Sequence, residues 1–136
     1  MSREYQRILV TVDGSQQSIN AFKKAVQIAK RNQAELHLVT IVDKQDNPKE
    51  AEDIQREKEN LFTALDNHAK REHVPIHKAI KHGDAKKLIA EELVKDWDID
   101  LIVMGATGKG RIAKLIIGSV TSYVTKHARC DVLIAR

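Results

Sequence analysis

Short apolar runs alternate along the chain with longer stretches in which apolar residues recur every three or four positions. Residues 6–12 (QRILVTV) stop at Asp13-Gly14-Ser15, a strand followed by turn chemistry. Ser15 or Ser18 can cap a helix there. Ile19, Phe22, Val26 and Ala29 then mark its apolar stripe, which closes near Arg31-Asn32. Glu35 to Val42 (ELHLVTIV) is rich in β-branched residues and predicts a second strand. Pro48 suits the first turn of the next helix, whose face carries Ala51, Ile54, Lys58, Leu61, Leu65 and Ala69 to about Arg71. Pro75 to Ile80 reads as a short edge strand. Gly83-Asp84 opens a helix with Leu88, Ile89 and Leu93 inward, and Asp100 to Met104 is a compact strand ending at Gly105. A last helix is expected from about Arg111, with Ile112, Leu115, Ile116, Val120 and Val124, before a closing strand at Val132 to Ala135.

The order is therefore β-α-β-α-β-α-β-α-β. Strict alternation of this kind calls for an α/β fold: a five-stranded parallel sheet with helices on both faces, joined by right-handed crossovers. Ligands in such sheets bind beyond the carboxyl ends of the strands, where strand order reverses. That rule nominates the segments after residues 12, 41 and 104.

Length and charge narrow the picture. At 136 residues the chain is expected to form a single domain, residues 1–136, at roughly 100–200 residues per domain. With only two Phe, two Tyr and one Trp, base-stacking surfaces for single-stranded nucleic acid are scarce. Cys130 is the only cysteine and has no internal partner, and no run approaches the length of a membrane span or a signal peptide, so the expected location is cytoplasmic. The net charge of +4 is concentrated: residues 105–136 carry +5, while acids and bases interleave elsewhere. This distribution argues against a nucleic-acid-binding surface.

The +5 segment contains Gly105-Ala106-Thr107-Gly108-Lys109-Gly110-Arg111, a glycine-dense loop between a buried strand and a helix. Glycines let the backbone approach a ligand, and exposed N–H groups can cradle phosphate oxygens, with Lys109 and Arg111 adding charge. Gly118 would cost about 1 kcal/mol within a helix, so packing or a ligand should account for it. If a helix begins there instead, its N–H groups and the Ser119 hydroxyl form an anion site. Neither a Walker loop nor a dinucleotide fingerprint is present. His73 and His77 are separated by Pro75 and cannot share a helix face, and His37, His68, His82 and His127 are scattered, so no metal site is expected.

The spacing Gly105-x2-Gly108-x9-Gly118-Ser119 resembles the nucleotide-binding signature of the universal stress protein (UspA-like) family, in its ATP-binding subgroup. The opening ILVTVDGS and the ending HARCDVLIAR are similar to that family's first and last strands, although Asp131 stands where proline is common. The resemblance implies a Rossmann-like fold of the adenine nucleotide alpha hydrolase type that binds ATP with Mg²⁺. It also implies a homodimer through the last strand, at Val132, Leu133 and Ile134. Asp13 would meet the ribose hydroxyls beside Thr11 and Val12, and Ile41 would contact adenine through its backbone. Met104 and Gly105 would flank the ribose, while Gly108, Gly118, Ser119 and Val120 would hold the phosphates.

The function expected is a nucleotide-dependent stress-response or signalling module, not an enzyme. Any hydrolysis or self-phosphorylation would be slow, with Ser119 and Thr121 the candidate hydroxyls. The alternative is a small ATP-using hydrolase or transferase on the same fold.

Overall fold

The computed structural model describes residues 4–42, 48–106 and 118–136. Its strands are β1 (Arg7–Thr11), β2 (Glu35–Val42), β3 (Ile76–His82), β4 (Leu101–Gly105) and β5 (Asp131–Ala135). Helices α1 (Gln16–Asn32), α2 (Pro48–Arg71), α3 (residues 85–96) and α4 (Ser119–His127) connect them. All pairings are parallel, in the order β3-β2-β1-β4-β5. The expected α/β fold is the observed one.

Strand order and crossover hand decide where each helix lies. The chain steps outward from β1 through β2 to β3, then returns past β1 to β4 and β5. Right-handed connections therefore send the first two helices to one face and the last two to the other. Side chains alternate accordingly. Ile8, Val10, Leu36, Leu38 and Val103 pack with Phe22 and Val26 of α1 and with Phe62 and Leu65 of α2. Leu9, Val39, Ile102 and Met104 pack on the opposite face with Ile89 and Leu93 of α3 and Val124 of α4. Burial on both faces is why these strands read as continuous apolar runs.

Three elements depart from their sequence-based outlines. Strand β3 runs two residues further than expected, to His82, because it pairs with β2 along its whole length. Helix α3 carries a π segment, Leu88–Glu92, between two short α-helical pieces, and the Leu93 N–H donates to the Leu88 carbonyl five residues back. The last described helix begins at Ser119, not within a helix running through from Arg111, since Gly118 is its N-cap with extended backbone (φ −62°, ψ 159°). The expected stripe residues Ile112, Leu115 and Ile116 lie outside the described residues, as do the side chains of Ala51 and Ile54.

One buried carboxylate ties α2 to the sheet edge. Asp66, about 12% exposed, accepts from Lys70 Nζ (3.1 Å) one turn on and from Lys78 Nζ (3.3 Å) on β3. Burial raises its pKa, but the two ammonium groups outweigh that and hold it below the ordinary aspartate value. A depressed folded-state pKa stabilises the fold above the unfolded value and is lost as pH falls through the folded one. Asp66→Asn should therefore lower the urea midpoint at pH 7 by an amount worth within about 1 kcal/mol, since both lysines are largely solvated. The gap between variant and wild type should close progressively below pH 4, as followed by circular dichroism.

Candidate functional site

The site begins where β1 runs out. Asp13 and Gly14, the latter with φ of 88°, reverse the chain into α1. Asp13 Oδ1 accepts from the Ser15 N–H (2.9 Å), and Ser15 Oγ, the N-cap, accepts from the Ser18 N–H (3.1 Å). Ser18 Oγ accepts from the Asp13 N–H (3.2 Å) and donates to the Ser15 carbonyl (2.9 Å). This ring of short-range bonds holds the aspartate turn at the carboxyl end of the sheet. Below it, the buried Thr40 hydroxyl donates to the Val12 carbonyl (2.7 Å), locking β1 to β2.

The other wall is built at the end of β4. The backbone of Gln17 in α1 comes so close that a Cβ on Gly105 would stand 3.0 Å from the Gln17 carbonyl carbon and 3.1 Å from its oxygen. Only glycine lets α1 settle there. Beyond it, the Ala106 N–H donates to the Ala135 carbonyl (2.9 Å), and the Gly118 N–H donates to the Ala106 carbonyl (3.0 Å). The buried Thr121 hydroxyl donates to the Gly105 carbonyl (3.1 Å), pinning the first turn of α4 beside β4.

Between these walls lies a cleft of about 250 Å³, close to the lower end of small-molecule sites. It opens beyond the carboxyl ends of β1 and β4, the neighbours at which strand order reverses. Thr11, Val12, Asp13 and Ile41 line one part of it, and Met104, Gly105, Gly118, Ser119 and Val120 the other. These expected site residues therefore come together. Gly108, Lys109 and Arg111 lie outside the described residues. Thr121, expected only as a candidate hydroxyl, also lines the cleft, and three further lining residues, Ser18, Ala85 and Ile89, were not among those expected at the site. Ile89 signalled only an inward helix face, and Ser18 only a possible cap, because both reach the cleft through helix docking.

The helix ends facing the cleft differ electrostatically. The N-terminus of α1 is satisfied by Ser15, whereas Gly118 offers α4 no side-chain cap. The positive end of the α4 dipole and its first-turn N–H groups can thus serve an anion. Ser119 at that turn is exposed, while the Thr121 hydroxyl is buried and already engaged. Away from the cleft, burial and then the nearby Asp131 and Asp100 push the Cys130 thiol up to about 11, which keeps it protonated and poorly nucleophilic. Asp131 accepts from the Tyr5 hydroxyl (2.7 Å), and that bond is the main cause lifting Tyr5 to about 12. An aspartate at the start of β5 thereby anchors the chain's opening segment.

A doubly covered parallel sheet with a cleft at its switch point, next to a helix N-terminus whose N-cap is glycine, defines a Rossmann-like α/β protein. Residues 4–136 match the Universal stress protein family, and the chain belongs to it. A relative from Staphylococcus haemolyticus that carries the family's name is 36% identical over 140 residues, covering 97% of this chain and 85% of its own length. Universal stress protein UspA from Lactobacillus plantarum superposes with a TM-score of 0.81 at 33% identity, covering 97% of this chain and 98% of its own. A universal stress protein solved in complex with cAMP superposes with a TM-score of 0.77 at 27% identity, covering 97% of each chain.

The contact at Gly105 makes a direct test of how the cleft is built. Gly105→Ala should lower stability by about 1–3 kcal/mol, the usual cost of forcing a carbon into a packed site. Denaturant unfolding of the variant checks this, and an unchanged midpoint would mean that α1 can move aside.

Proposed function

We propose that the chain is an ATP-binding module of the universal stress protein family, acting through its nucleotide state in a stress response or in signalling rather than by rapid catalysis. The observation that carries this reading is the convergence of Asp13, Ile41, Gly105, Gly118 and Ser119 on one cleft beside a helix N-terminus whose N-cap is glycine. A carboxylate at the end of β1 suits ribose hydroxyls, and Thr11 and Val12 form the floor beside it. Ile41 offers its backbone to adenine. Met104 and Gly105 flank the ribose, and the first turn of α4, through Gly118, Ser119 and Val120, takes the phosphates. Gly108, Lys109 and Arg111 complete the phosphate side in this reading, and Mg²⁺ accompanies ATP through the phosphate oxygens. The relative solved with cAMP favours an adenine nucleotide as the ligand class.

Hydrolysis or self-phosphorylation, where it occurs, is slow in this reading, and the exposed Ser119 is a better acceptor than the buried Thr121. The proposed location is the cytoplasm, and among the described residues no helix is long and apolar enough to cross a membrane. A single domain spanning residues 1–136 and a homodimer through β5 belong to the same proposal. Strand β5 is an edge of the sheet, and Val132, Leu133 and Ile134 on it remain partly exposed. A twofold mate would cover both its unpaired backbone groups and this apolar surface.

Calorimetric titration of nucleotide-stripped protein with ATP and Mg²⁺ should give micromolar or tighter binding. It should be lost in Gly118→Val, whose branched side chain occupies the phosphate end, and weakened at least about tenfold in Asp13→Ala. A folded wild type that binds no nucleotide would overturn the reading, and turnover of many per second would favour a hydrolase or transferase instead. Light scattering at micromolar concentration should return twice the chain mass, and Leu133→Lys should reduce it to one.

A further inference from the structure

Among the described residues, one group of metal-ligand side chains converges outside the cleft. Strands β2 and β3 pair in parallel with His37 opposite His77, and Glu35 lies two residues before His37 on the same face. Glu35 Oε1 is 3.1 Å from His37 Nε2, and Glu35 Oε2 is 3.9 Å from His77 Nε2. The three donor atoms all lie within 4.8 Å of one another. The imidazole rings of His37 and His77 stack at 4.8 Å, and the indole of Trp97, just past α3, stacks on His37 at 5.3 Å.

We propose that Glu35, His37 and His77 form a binding site for a divalent transition-metal ion of the zinc class, on the sheet face at the amino-terminal ends of β2 and β3. Two imidazole nitrogens and one carboxylate oxygen make up a known three-ligand zinc set, with water as the fourth ligand. Imidazole donors favour zinc, copper or nickel over magnesium or calcium. Metal–ligand bonds of about 2.0–2.1 Å in a tetrahedral site require donors about 3.3–3.4 Å apart. The Glu35–His37 pair, at 3.1 Å, stands within a few tenths of an ångström of that spacing. The wide arm is His77, whose side chain is 59% exposed and free to tilt out of its stack toward the Glu35 carboxylate, which turns about its last bond to present one oxygen to both imidazoles. His37, only 13% exposed and held against Trp97, is the fixed ligand.

Arg7 Nε donates to Glu35 Oε1 (3.1 Å) and so orients the carboxylate with Oε2 turned to His77. Its charge, with Lys81 over the Trp97 ring at 5.6 Å, opposes a bound cation and weakens its binding. His37 precedes Ile41 by four residues, about 13 Å along the strand, so this site stands apart from the cleft and does not depend on the nucleotide reading.

The chain's single tryptophan supplies the readout. Zn²⁺ titrated into the nucleotide-free full chain by calorimetry should bind one ion per chain, and Ni²⁺ should quench Trp97 fluorescence and be displaced by Zn²⁺. His77→Ala, at an exposed position, and Glu35→Gln, which keeps the side-chain shape, should each weaken Zn²⁺ binding at least about tenfold. Circular dichroism should remain unchanged in both, and His127→Ala should bind as the wild type does. No Zn²⁺ binding at millimolar concentration, or binding that survives both substitutions, would overturn the proposal.

Discussion

Strands β1 and β4 must be buried on both faces, and the rest of the structure follows from how the chain achieves it. Right-handed crossovers allow a single solution once the chain has stepped outward to β3 and come back: α1 and α2 on one face, α3 and α4 on the other. The turn after β1 leads into α1 on one face while α4 packs beside β4 on the other, and a gap is left between them. The cleft is a geometric consequence of covering the sheet. Its lining is the set of residues with which the strands end and the helices begin.

Close packing at that gap rests on a few contacts that tolerate no spare atoms. Gly105 gives up a side chain so that the start of α1 can lie on β4. Thr40 and Thr121, both buried, use their hydroxyls on main-chain carbonyls at the ends of β1 and β4. Among the described residues no buried side-chain polar atom lacks a partner. Each bond replaces one that water would otherwise make, and together they hold the aspartate turn and the first turn of α4 in fixed relation.

The two sheet edges have different chemistry. Strand β3 carries His77, Lys78 and Lys81, and charged or polar side chains of this kind discourage pairing with another strand. Strand β5 carries Val132, Leu133 and Ile134. This contrast is the physical reason for placing the proposed twofold contact at β5. The polar edge instead sets His77 beside His37 of β2, which stacks on Trp97, and this is where the cation site is proposed.

Much of this was legible in the residues alone. Helix α2 was outlined from Pro48 to Arg71 by its apolar stripe and its proline, and β2 from Glu35 to Val42 by its β-branched run, because local periodicity reflects one buried face. The aspartate turn, Gly105 and Gly118 stood out in the sequence and line the cleft, since backbone freedom and turn chemistry are written locally. Gly118 was recognisable as out of place in a helix. That it is an N-cap, and that a π segment interrupts α3, depended on docking against the sheet. The inclusion of Ile89 and Ala85 in the cleft lining likewise needed the packed helices. His37 and His77 stand forty residues apart; the first looked scattered, and the second was weighed only against His73. Only the parallel register of β2 and β3 brings them side by side, because strand pairing joins positions whose separation along the chain carries no local signal.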